Sequence, residues 1–335
     1  MAYVYSNVDT GGLVRADSSG VKVLAEVQPG PDDAVVVGKA IWLAGQVAQS
    51  VSATAKVTPI AIPEYTNAVE FDGRFGWFVG QVGGLYRVDP ADGSVVRFET
   101  PGYPNYLTTD GDGAVFGVLG PAGGGSVIEI MRADENGITV VGGVEMSDPN
   151  VVASDVTGLF YAHGSRWLLA NRVTELWRID PSNAAVVARI PVAPSIPLVD
   201  VGGQWSIEAG FALDIVAADG DTVVAMFRHN NPDVYAGKTS FPINVNKLRR
   251  PKLVRIDPTT NTVIEVRRVP NGDCGTPMAA TRKRIWGASI IGAPCVIDIA
   301  TATPAGVWAE EWTELGYGDS PTPTSGRAVA AVVLR

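Results

Sequence analysis

The chain reads as an all-β protein built on a recurring four-stranded antiparallel unit, and three observations lead there. First, one phrase is written several times: Leu85-Tyr86-Arg87-Val88-Asp89-Pro90, Leu176-Trp177-Arg178-Ile179-Asp180-Pro181 and Leu253-Val254-Arg255-Ile256-Asp257-Pro258. Each runs through a polar turn into a second apolar stretch, as in Val95 to Phe98, Val186 to Ile190 and Thr262 to Val266. Internal similarity of this kind signals a repeat architecture. Second, Asp-Gly pairs separate strand-like runs upstream of the phrases, at Asp72-Gly73, Asp110-Gly111 and Asp219-Gly220. Such pairs between alternating apolar residues mark hairpins. Third, the 335 residues include 38 Gly and 23 Pro, too many turn-formers for a helical protein, and no segment keeps a helical period over three turns.

Weaker copies of the phrase extend the pattern. They start at Leu13-Val14-Arg15-Ala16-Asp17, Ala53-Thr54-Ala55-Lys56-Val57, Ile130-Met131-Arg132-Ala133-Asp134 and Cys295-Val296-Ile297-Asp298-Ile299. Each unit is a four-stranded meander with two apolar faces that it cannot bury alone. Stacking one unit on the next supplies the missing surface, and closing the stack into a ring removes the exposed ends. The run Gly326 to Leu334 reads as a strand with no partner downstream, and the N-terminal unit is one strand short. The expectation is therefore a single β-propeller domain over 1–335, with seven four-stranded blades closed by the C-terminal strand joining the N-terminal blade. The blades fall at about 1–29 with 326–335, 32–63, 66–100, 104–146, 156–192, 208–270 and 276–312. Six and eight blades stay open, because the 32–63 and 276–312 units are degenerate.

In each phrase the Asp accepts backbone N–H bonds at the turn, Pro fixes φ, and Gly93 or Asn261 supplies positive φ. The Arg of each phrase is expected along a blade face, its head paired with an acid.

Bulk properties narrow the function. Charges sum to −9 at pH 7, which argues against nucleic acid as a partner. No run approaches eighteen apolar residues, so no membrane span is expected, and the first residues do not read as a secretory signal. The two cysteines, Cys274 and Cys295, are expected as buried free thiols, with a cross-strand pair as the alternative.

Catalytic motifs are scarce. The chain has two histidines, His163 and His229, no Gly-x-Ser-x-Gly elbow and no Cys-x-x-Cys. Asp110-Gly111-Asp112-Gly113 opens like a calcium loop but lacks the later carboxylates, so it reads as a hairpin turn. Acids such as Glu64, Glu70, Asp72, Asp155, Glu208 and Asp214 are numerous. No cofactor is expected, with Ca or Mg held by carboxylates on the ring axis as the open alternative.

The unusual surface lies where the repeat breaks. Residues 230–251 interrupt one unit with Tyr235 and Phe241 and end near Lys247, Arg249 and Arg250, a basic cluster in an acidic chain. A second long connection carries Trp312 and Tyr317, and a third carries Trp205. In a propeller these loops would emerge on one face with Tyr103 and Tyr106. Long loops tend to carry function, and aromatics with mixed charge suit protein or glycan contacts.

The repeated phrases resemble the seven-bladed propellers of the streptogramin-lyase-like and surface-layer-like families. The lyase resemblance implies a metal-assisted site with histidine and glutamate, for which His163, His229 and Glu208 are the candidates. The Met-Ala start, the Gly/Ala/Val-rich composition and the degenerate blades resemble a minor tail protein of an actinobacterial phage. That resemblance implies a non-enzymatic virion component, structural or host-surface-contacting, whose partners are other tail proteins or a host protein or glycan. The rival is a metal-dependent lyase or lactonase-like propeller enzyme, placed in the cytoplasm or exported.

Overall fold

The computed structural model describes residues 2–6, 11–17, 20–28, 31–119, 127–145, 156–170, 175–192, 199–201, 205–207, 212–228, 252–269, 276–280, 283–288, 294–307 and 327–332. The strands come in groups. The first is β1 (Ala2–Ser6), β2 (Gly11–Asp17) and β3 (Gly20–Val27). Next come β4 (Pro31–Val37), β5 (Ala40–Gly45), β6 (Gln49–Val51) and β7 (Val57–Pro59). They are followed by β8 (Thr66–Phe71), β9 (Gly76–Gly80), β10 (Gly84–Val88) and β11 (Val95–Glu99). Then come β12 (Tyr103–Thr109), β13 (Ala114–Leu119), β14 (Val127–Asp134) and β15 (Gly137–Glu145). After these run β16 (Val156–Ala162), β17 (Ser165–Ala170), β18 (Glu175–Ile179) and β19 (Val186–Pro191). A separate hairpin pairs β20 (Val199–Val201) with β21 (Trp205–Ile207). The chain continues as β22 (Ala212–Asp219), β23 (Thr222–Arg228), β24 (Lys252–Asp257) and β25 (Thr262–Arg268). It ends with β26 (Thr276–Ala280), β27 (Arg284–Ala288), β28 (Pro294–Asp298), β29 (Thr303–Val307) and β30 (Arg327–Val332).

Six sheets are continuous four-strand meanders: β4–β7, β8–β11, β12–β15, β16–β19, β22–β25 and β26–β29. The remaining four-stranded sheet is composite, in the order β3-β2-β1-β30. The expectation of seven like blades in a closed ring is thus corrected. The propeller has six blades that are each one continuous unit. β30 pairs with β1, from Ala2 opposite Val332 to Ser6 opposite Arg327, but that pairing completes one sheet and joins it to no other. Among the described residues no backbone hydrogen bond runs from one sheet to the next, so the ring is not closed by hydrogen bonds. The reason is physical: strand pairing saturates the backbone groups inside each sheet, and neighbouring sheets meet only face to face.

What joins the sheets is side-chain packing. β4 lies beside β8, β8 beside β12, β12 beside β16, β16 beside β22, and β22 beside β26, while β30 lies beside both β4 and β26. Alternation along a strand feeds two different cores. On β9, Trp77 and Val79 face Phe116, Val118 and Met131 of the next blade. Phe78, between them, faces Trp42 and Ala44 of the preceding blade. Similar apolar clusters fill the seams that follow, one uniting Ile130 and Val144 with Leu168 and Trp177, another Trp167 and Leu176 with Val223 and Val254. Two more unite Leu13 with Leu43, and Met226 with Ile285 and Cys295. Among the described residues no such cluster joins β26–β29 to the composite sheet.

The repeated phrase forms the third strand of a blade and the turn after it. Asp89 Oδ1 accepts from Ala91 N at 2.8 Å, Asp180 Oδ1 from Ser182 N at 2.7 Å, and Asp257 Oδ1 from Thr259 N at 2.7 Å. Four residues after each Asp the backbone turns left-handed, at Gly93 (φ 75), Ala184 (φ 59) and Asn261 (φ 57). The Ser182 hydroxyl and then its N–H hold the Asp180 carboxyl below its usual range, and the Thr259 N–H does the same for Asp257. Two arginines of the phrase correct the expected acid pairing. Arg87 stacks over Phe75 and Phe98, 4.5 and 5.7 Å from the ring centroids. Arg178 reaches into the next blade, donating to Pro258 O and, at 3.0 Å, to Asn261 Oδ1.

Cys295 is fully buried and disulfide-bonded, which corrects the free-thiol expectation. Cys274, the only other cysteine in the sequence, lies outside the described residues.

Candidate functional site

Chain direction divides the molecule into two unlike faces. Turns between first and second strands, and between third and fourth strands, share one face. They are short and tied by their own side chains. Asp72 shows how: its Oδ1 accepts from Arg74 N and Phe75 N, both at 2.7 Å, and its Oδ2 accepts from Trp77 Nε1 at 2.7 Å. Asp110 does similar work between blades. Its two oxygens accept from Arg132 and from the buried Arg166, each at 3.2 Å. The Asp110-Gly111-Asp112-Gly113 segment is therefore a hairpin turn whose first carboxylate ties β17 to the preceding blade. On the same face Asp72, Phe75, Trp77, Asp112 and Glu135 line a cleft of about 280 Å³. The Arg74–Glu135 ion pair, at 2.7 Å, lines it too.

The opposite face carries the connections between second and third strands and those between blades. Two large apolar side chains stand out there, Val82 at 72% and Tyr103 at 64% exposure. Both sit on fixed backbone. Glu64 Oε2 accepts from Val82 N at 2.8 Å, and Tyr86 OH donates to Glu64 Oε1. Thr100 Oγ1 lies 2.5 Å from Gly83 O and 2.6 Å from Gly102 O, tying the loop before β10 to the one before β12. Gly80 and Gly84 leave room for the Glu64 carboxylate, because a Cβ at either would lie within 2.6 Å of it. Glu64 is thus a loop brace.

A second group of acids lies along the seam where β4 meets β8. Asp33 Oδ2 accepts from Val69 N at 3.0 Å, and its Oδ1 from Ala34 N at 2.8 Å. Tyr65 OH donates to Asp32 across the same seam. Loss of hydration in the seam pushes the Asp33 carboxyl up to about 6. Desolvation, with the Asp33 charge beside it, pushes Glu70 up to about 8. The Tyr65 phenol rises to about 12 through desolvation and its bond to Asp32. Sequence reading named Glu70 but missed Asp33. The available signal was the Asp32-Asp33 pair directly after Gly30-Pro31, at the head of a blade's first strand.

The predicted site residues that the structure describes fall at separate places. Tyr103 is on the loop face. Tyr106 has φ 57 beside a strand irregularity and packs against the Val115–Trp177 cluster. Trp205 opens β21. His163 occupies the short-turn face with φ 50, its Nε2 3.0 Å from Thr222 O. Tyr235, Phe241, Lys247, Arg249, Arg250, Trp312, Tyr317, His229 and Glu208 lie outside the described residues. Among the described residues no group of three or more His, Cys, Asp or Glu is placed to hold a metal ion. Among them, too, no helix is long and apolar enough to cross a membrane.

The fold defines a β-propeller, a class whose exposed faces suit protein and ligand contacts. No family model matches the chain, and no curated protein matches it. Solved structures of similar fold include a chain of the mitotic checkpoint complex, with TM-score 0.57 at 9% identity over 90% of this chain and 83% of that one. Hydrazine synthase of Kuenenia stuttgartiensis matches with TM-score 0.55 at 15% identity, over 88% and 80%. The WD40 β-propeller domain of Doa1 matches with TM-score 0.55 at 10% identity, over 86% and 85%. Likeness at this level shows the fold alone. It ties the chain neither to streptogramin-lyase-like or surface-layer-like propellers nor to phage tail proteins, and that expected kinship is withdrawn. The phrase that suggested the lyase-like and surface-layer-like kinship encodes a strand, an Asp-anchored turn and a strand, which is blade geometry.

Proposed function

We propose that the chain is a non-enzymatic interaction module that contacts a protein or glycan partner through the loop face of its propeller. The observation that carries this reading is the pair Val82 and Tyr103, more than three-fifths exposed yet mounted on hydrogen-bonded loops. Apolar groups held rigidly in water cost little further ordering on binding, the condition for a contact anchor. The short-turn face offers instead turns whose carboxylates are engaged by their own backbone. In its finer form the reading places the chain in a virion tail, as a structural or host-surface-contacting part.

A photo-crosslinking side chain at position 82 or 103, in protein made in its native setting, tests the proposal. A third at Lys39, in the β4–β5 turn of the opposite face, is the control. Specific adducts from 82 and 103, and none from 39, are expected. Adducts from 39 alone, or from none of the three, overturn the reading. Labelled chain in purified particles decides for the virion, and its retention in the cell fraction decides against it.

A further inference from the structure

The strands β4 and β8 are the first strands of consecutive blades, and they meet without backbone pairing. Described polar links cross this seam from three side chains. Thr66 Oγ1 accepts from Gly45 N at 3.1 Å, Tyr65 OH donates to Asp32, and Asp33 Oδ2 accepts from Val69 N. Two of the three therefore depend on carboxylates. Glu70 follows Val69 directly and lies within Coulombic reach of Asp33. Asp33 and Glu70 are both half-buried. Two like charges held this close in a poorly hydrated seam repel, so the arrangement is stable while at least one carboxyl keeps its proton.

We propose that this seam is a proton-dependent latch: Asp33 ties the two blades through the Val69 amide while the neighbouring Glu70 is neutral, and the tie loosens when Glu70 becomes charged beside it.

The surroundings offer little to offset the charges. Among the described residues, the charge acting on Asp33 is Asp32, and the charge acting on Glu70 is Asp33. Of the other strands against β8, β5 and β9 carry no ionisable side chain, and β12 brings Tyr103 and Tyr106. Against β4 run β1 and β30, which contain Tyr3, Tyr5 and Arg327 in their sequences.

The direction follows from linkage. Both carboxyls are raised by the fold, Asp33 from 3.8 to about 6 and Glu70 from 4.5 to about 8. A raised acid favours the closed seam fully below its free value and loses that contribution as pH climbs through its folded value. The sensitive window for Glu70 thus runs from about pH 4.5 to pH 8. One proton lost on opening changes the opening equilibrium by up to about tenfold per pH unit inside that window.

Hydrogen exchange of the Val69 amide, which Asp33 holds across the seam, reads the latch. In the wild-type chain its protection factor is expected to fall at least about tenfold between pH 5 and pH 8. In Glu70→Gln, where Asp33 still titrates from its raised value, the fall is expected to be several-fold smaller than in the wild type. The amide of Leu168, in a blade remote from the seam, is the reference and should change little. Unchanged protection of Val69 in the wild type overturns the proposal, as does an equal fall at Val69 and Leu168, or an unaltered fall in Glu70→Gln. Asp33→Asn supplies a second variant, which keeps an acceptor for Val69 N but no charge, so its Val69 protection should fall less between pH 5 and pH 8 than the wild type's. Val69 protection in Asp33→Asn that matches the wild type at both pH values overturns the proposal as well.

Discussion

Gly76 opens β9 where the Trp42 ring of the preceding blade lies against it. A Cβ there would sit 2.6 Å from Trp42 Cε3 and closer still to Cζ3. Trp42 has little room to withdraw: it is 6% exposed and stacks on Phe78, with centroids 6.0 Å apart and planes inclined by 22°. Gly76 has no positive φ, so Gly76→Ala introduces no backbone strain. It should even gain about 0.5 kcal/mol by restricting the unfolded chain. Forcing the ring off its rotamer costs about 1–3 kcal/mol. The net expectation is a loss of about 1–2 kcal/mol in guanidinium denaturation. Trp42→Ala alone should cost about 3–5 kcal/mol, through lost burial and the cavity left behind. In that background the methyl of Gly76→Ala enters vacant space, so its cost should vanish. The coupling between the two changes is therefore about 1–3 kcal/mol. Additivity within about 0.5 kcal/mol would refute the view that Trp42 and Gly76 set the spacing of these blades.

Other expectations concern the remaining ties. Arg178→Ala removes the bond to Ser165 Oγ in its own blade and the bonds to Pro258 O and Asn261 Oδ1 that fasten consecutive blades, and should cost about 2–3 kcal/mol. Arg178→Lys, lacking the planar fork, should recover only part of that; full recovery in denaturation would count against the inter-blade tie. Cys295→Ser should lower stability by about 2–4 kcal/mol, and reductant should lower the wild type alike. A wild-type midpoint indifferent to reductant contradicts this. Val82→Ser and Tyr103→Ser, being exposed, should leave the denaturation midpoint within about 0.5 kcal/mol of the wild type. A larger loss would mean that these side chains serve packing and not contact.

Local order was readable from the sequence because it is written locally. The Leu85 and Leu176 phrases, with an Asp, a Pro and a later Gly, Ala or Asn, specify strand and turn within a few residues, and the structure has both there. Asp72-Gly73 and Asp110-Gly111 likewise end first strands. Links between blades were not readable, since they join residues far apart in sequence with no shared period. Asp33 meets Val69, and Arg178 meets Pro258, because sheets stack at a given angle, and no spacing along the chain reports that angle. The pairing of the C-terminal strand with β1 was legible from the strand that the N-terminal unit lacks, but the blade count failed, because a strand pattern does not report how a sheet joins its neighbours. The site was less legible than the fold. Tyr103 was found as an aromatic near a loop, but Val82 was passed over, because an ordinary valine draws notice only once its exposure is known.

The composite sheet has a consequence for how the molecule is made. Ala2 finds Val332 only after the six continuous blades between them have been synthesised, so until then β1 presents an unpaired edge. Such an edge accepts any strand of suitable register, including one from a neighbouring nascent copy. The first three strands should therefore be the part of the chain most dependent on chaperone shielding. A ribosome stalled before Arg327 would leave six blades able to stack and a seventh sheet ready to aggregate.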